Sequence, residues 1–154
     1  MAGITSAMPN SFRVELATGT HNFTTTTGNV FYIPLFKATV TGTYGLATTN
    51  YTDMTGNSDE TSGTGYTATG FHWTAAQNVT PTANSNVSTW GWNTNPSWTT
   101  ATFSTDGAMI YNQTNSQKAV GIYSFGSTQS VTAGTLTLVL PSNTSSTLAI
   151  LRLA

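Results

Sequence analysis

Residues 98–112, WTTATFST-DG-AMIYN, decide the fold class. Both halves of this stretch are rich in β-branched and aromatic side chains, which fit a pleated surface better than a helix. Between them stands Asp106-Gly107, a pair that favours the tight turn of a β-hairpin. The stretch therefore predicts two antiparallel strands, 98–105 and 108–112, turning at 106–107.

The same signature recurs outward from it. Residues 29–40 (NVFYIPLFKATV) set Phe31, Ile33 and Leu35 on one face and Tyr32 and Phe36 on the other. Pro34 has no N–H to donate, so this strand takes an edge position or a bulge. Residues 66–74 (YTATGFHWT) place Phe71 and Trp73 together, and 118–125 (KAVGIYSF) do the same for Val120 and Ile122. Residues 135–140 (TLTLVL) align Leu136, Leu138 and Leu140. Residues 147–153 (TLAILRL) are apolar on both faces apart from Arg152, which predicts a central strand. Threonine supplies more than a fifth of the chain, while Gly, Asn and Ser recur as turn formers. Residues 41–65 and 80–96 read as loops. Residues 10–19 (NSFRVELATG) are balanced: Phe12, Val14 and Leu16 alternate as in a strand, yet Asn10 or Ser11 could cap a helix and Gly19 suits its end. Short strands between turn clusters indicate an all-β chain. The expectation is a single β-sandwich domain over 1–154, jelly-roll-like, with a short N-terminal helix or an extended arm at 1–9.

Charge narrows the function. Four Lys/Arg and five Asp/Glu stand among 154 residues, with a formal net charge of -1. Arg13, Lys37, Lys118 and Arg152 are scattered, so the clustered cations that bind phosphates are missing and no nucleic-acid partner is expected. No basic amphipathic helix or long apolar run suggests a membrane. Cysteine is absent, which excludes thiolate chemistry and Cys-ligated zinc. The opening residues lack the basic and apolar regions of a signal peptide, so the expectation is a soluble protein made in the cytoplasm. Little net charge leaves little repulsion between copies, which promotes association.

Few groups here could do chemistry. His21 and His72 lie far apart in unrelated contexts, and His72, between Phe71 and Trp73, points to the opposite, solvent-facing side. Asp53, Asn57, Asp59 and Glu60 form the one acidic cluster, but their spacing departs from a calcium loop and a solvated loop is the better reading. Neither a catalytic residue nor a metal nor a cofactor is expected, and the chain reads as a non-enzyme. Two features suit contact with another surface instead. One is the N-terminal arm with Met1, Ile4, Met8 and Pro9, too short and irregular for a core role. The other is the run WGWNTNPSW with Trp90, Trp92 and Trp98, rings that anchor interfaces or stack on sugars when exposed and otherwise fold over the core.

Four segments, NSFRVELATGTHNF (10–23), ETSGTGYTATG (60–70), ATFSTDGAMIYN (101–112) and AVGIYSFGSTQSVTAGTLTLVLP (119–141), resemble a family of small virion proteins encoded by tailed bacteriophages. They keep the family's order and cover most of the chain. The resemblance implies a β-rich structural protein and tips 11–18 towards a helix. The roles it implies are capsid decoration (cement) or a tail or fibre component. This chain departs at the segment 90–98 and at position 106, where Asp stands in place of a basic residue. On this reading the partners are the major capsid protein and further copies of the chain as a homotrimer, at the capsid surface of the virion. The rival is a tail or fibre module that binds carbohydrate.

Overall fold

A computed structural model describes residues 3–145, 147 and 149–153. In chain order its elements are β1 (Gly3–Ile4), α1 (Asn10–Ala17), β2 (Phe31–Ile33), β3 (Leu35–Lys37), β4 (Thr43–Tyr44) and α2 (Thr52–Gly56). They continue as β5 (Phe71–Trp73), β6 (Asn78–Asn84), β7 (Val87–Trp92), β8 (Ser97–Asn112), β9 (Lys118–Thr137) and β10 (Leu151–Leu153). The protein is mostly β, as composition predicts, and its strands form several sheets.

The stretch 98–112 forms strands but does not turn where predicted. β8 runs unbroken through Asp106-Gly107, and the hairpin turns at 113–117 into the antiparallel β9. β9 merges the strand predicted at 118–125 with the first half of the one predicted at 135–140, ending at Thr137. At Asp106 the ladder bulges, because Thr105 faces Gln129 whereas Gly107 faces Ser124. Glycine is needed there for close approach: a Cβ on Gly107 would lie 2.3 Å from the Tyr123 carbonyl oxygen. The Asp106 carboxylate pins the neighbouring chain, accepting the Thr39 N–H at 3.0 Å and the Thr128 hydroxyl at 2.6 Å.

β8 anchors the larger sheet, with β9 along one edge and β3 and β2 along the other; β5 lies beyond β2. The predicted alternation over 29–40 holds. Phe31, Ile33 and Leu35 join Ala108 and Ile110 in one apolar cluster, while Tyr32 and Phe36 join Met109 and Tyr111 in another. Pro34 separates β2 from β3 without the expected bulge, since both keep one register against β8 and the shift comes later, between Phe36 and Lys37; the Pro34 carbonyl accepts the Met109 N–H at 3.0 Å. On β9 the expected shared face of Val120 and Ile122 is overturned. Ile110 faces Gly121 and Tyr111 faces Ala119, so Val120 is the extra residue of a bulge and enters the first cluster, while Ile122 enters the second.

A second sheet has the order β10-β7-β6. Residues 80–96, predicted as loop, contain the β6–β7 hairpin, whose Asn84 faces Val87 across a tight turn with Ser85 at φ 60°. The segment NVTPTAN has no apolar alternation, so periodicity could not reveal it. Among the described residues β10 pairs with β7 alone and is an edge strand, correcting the predicted central position; Leu151 is buried, Leu153 is exposed, and Leu148 lies outside the described residues. The first cluster unites the sheets, since Trp90, Trp92 and Leu151 pack with Phe31, Ile33 and Leu35. The ambiguous segment is the helix α1, with Phe12 fully buried. Its end is set by Gly19 at φ 69°, where Gly19 N–H donates to the Leu16 carbonyl at 3.2 Å and Thr20 N–H to that of Glu15 at 2.9 Å.

Candidate functional site

The scarce charges come first, since they would carry any chemistry. Asp59 is fully buried. It accepts hydrogen bonds from the N–H of Thr41 and Gly42 and the hydroxyl of Tyr44, and lies 2.9 Å from Lys37 Nζ. Burial by itself raises a carboxyl pKa, but these donors outweigh it and hold Asp59 well below the usual carboxylate range. Glu60 accepts the Tyr51 and Tyr66 hydroxyls and the Thr69 N–H. Burial, then that carboxylate, raises the pKa of both phenols. Asp53 accepts the N–H of Thr49 and Asn50. The expected solvated loop is therefore a set of internal anchors: each carboxylate ties down its own backbone. Glu15 pairs with Lys118 and His21, and Asp106 is bound as described. Among the described residues no group of three or more His, Cys, Asp or Glu is placed to hold a metal ion. His72 is exposed as expected, stacked on Tyr32 with ring centroids 3.6 Å apart and bonded to the Thr69 hydroxyl.

The expected contact residues stand differently from their predicted setting. Trp90, Trp92 and Trp98 are 2%, 1% and 6% exposed. Trp92 stacks on Trp73 at 4.4 Å, Trp90 packs on Phe23 at 5.8 Å, and Trp98 lies against Tyr66 at 6.2 Å. The reading of these three rings as exposed loop anchors is corrected. Trp90 and Trp92 lie in β7 and Trp98 in β8, and their rings serve the core. The spacing of Trp90 and Trp92, two apart as on one strand face, is the signal that could have revealed this.

The arm is extended, but it straps its own chain. β1 runs parallel to β4, and Ala7 exchanges two 2.9 Å backbone hydrogen bonds with Ile122 on β9. Ile4 packs on the second cluster, Met8 on the first, and Pro9 is buried. Contact residues expected to reach a neighbour are thus engaged at home; Met1 lies outside the described residues.

One surface feature went unread as a site. The end of β9 and the chain after it form an open apolar groove of about 560 Å³, lined by Tyr123, Phe125, Leu138, Val139, Leu140 and Ile150. The predicted alternation places Leu136, Leu138 and Leu140 against the core. Val139, between Leu138 and Leu140 on the groove's lining, is 78% exposed. Leu138 and Leu140 N–H donate to the Pro96 carbonyl and the Asn95 side chain, each at 2.9 Å, which fixes the wall. The groove can bury apolar side chains, and Tyr123 is held protonated by burial. Periodicity identified the leucines; only the return of the chain at Ile150 makes a groove of them.

No family model matches this chain, and no curated protein or solved structure matches it either.

Proposed function

We propose that this chain is a bacteriophage capsid decoration (cement) protein, which binds the outer surface of the major capsid protein shell and stabilises the virion. The observation that carries this reading is the state of the acids. All five Asp and Glu carboxylates accept hydrogen bonds from the chain itself, so apart from a few scattered cations such as Arg13 and Arg152 the exterior offers hydroxyls, amides and an apolar groove. Such a surface adheres and does not move protons. The resemblance of the four segments to phage virion proteins supplies the setting. A standard interface buries about 1,200–2,000 Å², and bridging several shell subunits adds effective concentration to modest contacts. The groove around Val139 is the shell contact in this reading, and copies associate as trimers, the common arrangement at threefold positions.

The architecture we take to be a single β-sandwich, supported by Trp90, Trp92 and Leu151 of one sheet closing over Phe31, Ile33 and Leu35 of the other. The jelly-roll connectivity gains no support from the strand order of the described residues.

Particles assembled without the protein should form but lose their DNA at lower temperature than complete ones. Equal heat resistance would defeat the stabilising role. Counting copies per virion separates shell from tail: hundreds fit decoration, a handful fits a tail or fibre part.

A further inference from the structure

Where the end of α1 meets the β8–β9 turn, a buried cluster surrounds a titratable group that adhesion does not use. The His21 side chain is fully buried, with Nε2 2.8 Å from Glu15 Oε2 and Nδ1 2.9 Å from Asn112 Nδ2. Two backbone N–H groups, which can only donate, decide which atoms donate here. Asn22 N–H donates to Asn29 Oδ1 at 2.8 Å, so Asn112 Nδ2, 2.9 Å from the same oxygen, faces it as a donor. Asn115 N–H donates to Asn112 Oδ1 at 3.1 Å and sets that amide the same way round. Asn112 therefore also donates to His21 Nδ1, which must accept. The imidazole is neutral, with its proton on Nε2 directed at Glu15.

We propose that this cluster is an acid-sensitive clasp: a proton added to His21 Nδ1 loosens residues 20–29 against the β8–β9 turn, while Gln113 and Thr114 of that turn go on holding Val30. Protonation sets N–H against N–H. Asn112 can relieve that only by turning its amide over, which removes the acceptor of Asn115 N–H and the donor to Asn29 Oδ1. Asn115 also binds the Thr20 carbonyl and Asn29 Oδ1 through its side chain, so turn and loop loosen together.

The titratable groups facing His21 are Glu15 of α1 and Lys118 of β9; the rings of Phe12 and Phe23 lie 4.8 and 6.3 Å away. Burial weighs most and lowers the His21 pKa. Glu15 opposes this, while Lys118, bound to the other Glu15 oxygen, reinforces it. The folded pKa is depressed, so the clasp contributes in full above the ordinary histidine value of about 6.5 and is lost as pH falls through the folded value.

Nitrogen-15 NMR of the intact wild-type chain at about pH 7.5 reads the tautomer directly. The Nε2–H form is expected; an Nδ1–H form or an imidazolium at that pH overturns the proposal. Amide exchange at Asn115, corrected for its intrinsic pH dependence, should accelerate several-fold on moving to about pH 5, and unchanged protection counts against the clasp. Thermal melts supply a third readout: wild type should lose clearly more stability over this range than His21→Gln, in which His72, whose pKa burial also lowers, leaves a residual loss. Equal losses in both would overturn the assignment, and if His21→Gln fails to fold, the two wild-type measurements decide.

Discussion

Asp59 carries a full charge out of solvent, and its environment dictates how it responds to substitution and to acid. Replacing it with Asn leaves Lys37 unpaired and weakens the acceptor that holds Thr41, Gly42 and Tyr44. The cost should be at or somewhat below the roughly 3–5 kcal/mol of a broken buried pair, because Lys37 keeps a third of its side chain in solvent. The depressed folded pKa means that this stabilisation is complete above the ordinary carboxylate value of about 3.9 and is lost as pH falls below it. Acid titration of unfolding by circular dichroism should therefore show a steeper loss for wild type than for Asp59→Asn in that range. Trp92→Ala removes a ring stacked on Trp73, and urea unfolding should report a loss of about 3–5 kcal/mol. Neither result was foreseeable from residue type. By residue type Asp59 belongs to a solvated loop, and Trp92 is either an interface anchor or a ring folded over the core, since burial of a single side chain depends on chain segments distant in sequence.

At the level of elements, apolar alternation was the reliable signal and turn chemistry the misleading one. Phe31 to Phe36 and Leu136 to Leu140 face as their spacing predicts, because a pleated strand must alternate. Asp106-Gly107 favours a turn only where nothing competes, and here the cross-strand contact of Gly107 with Tyr123 does. Gly107→Ala should destabilise by roughly 1–3 kcal/mol in urea unfolding, the usual range for overpacking, although the position lies inside a strand where alanine is otherwise preferable to glycine. A neutral result would mean that the bulge, and not close packing, selects glycine. The C-terminal strand yields a second test. Deleting residues 149–154 exposes the partners of Leu151, worth about 1.5–3 kcal/mol, and removes an edge strand from β7. The melting temperature should fall by roughly 5–10 °C with the chain still folded; outright unfolding is what a central strand would have required.

For the whole molecule, the decisive quantity is how little charge reaches the surface. On the proposed decoration role, contacts through hydroxyls and the Val139 groove should survive changes in ionic strength, so raising salt well above the physiological range should leave binding to a shell largely unaltered. Val139→Asp places a charge on a side chain that is 78% exposed, so it should leave the melting temperature unchanged and, if the proposed decoration role holds, sharply lower the copy number on purified particles. That the chain is mostly β, that two faces of the 29–40 segment are apolar and that charge is rare all follow from the residues alone, because composition and alternation are local properties. That the tryptophans are core, that the arm folds home and that β10 lies at an edge emerge with the folded arrangement. So does the meeting of His21, Glu15 and Lys118. Those outcomes depend on which distant segments come together, and bulges that shift the ladder leave no periodic trace in the chain.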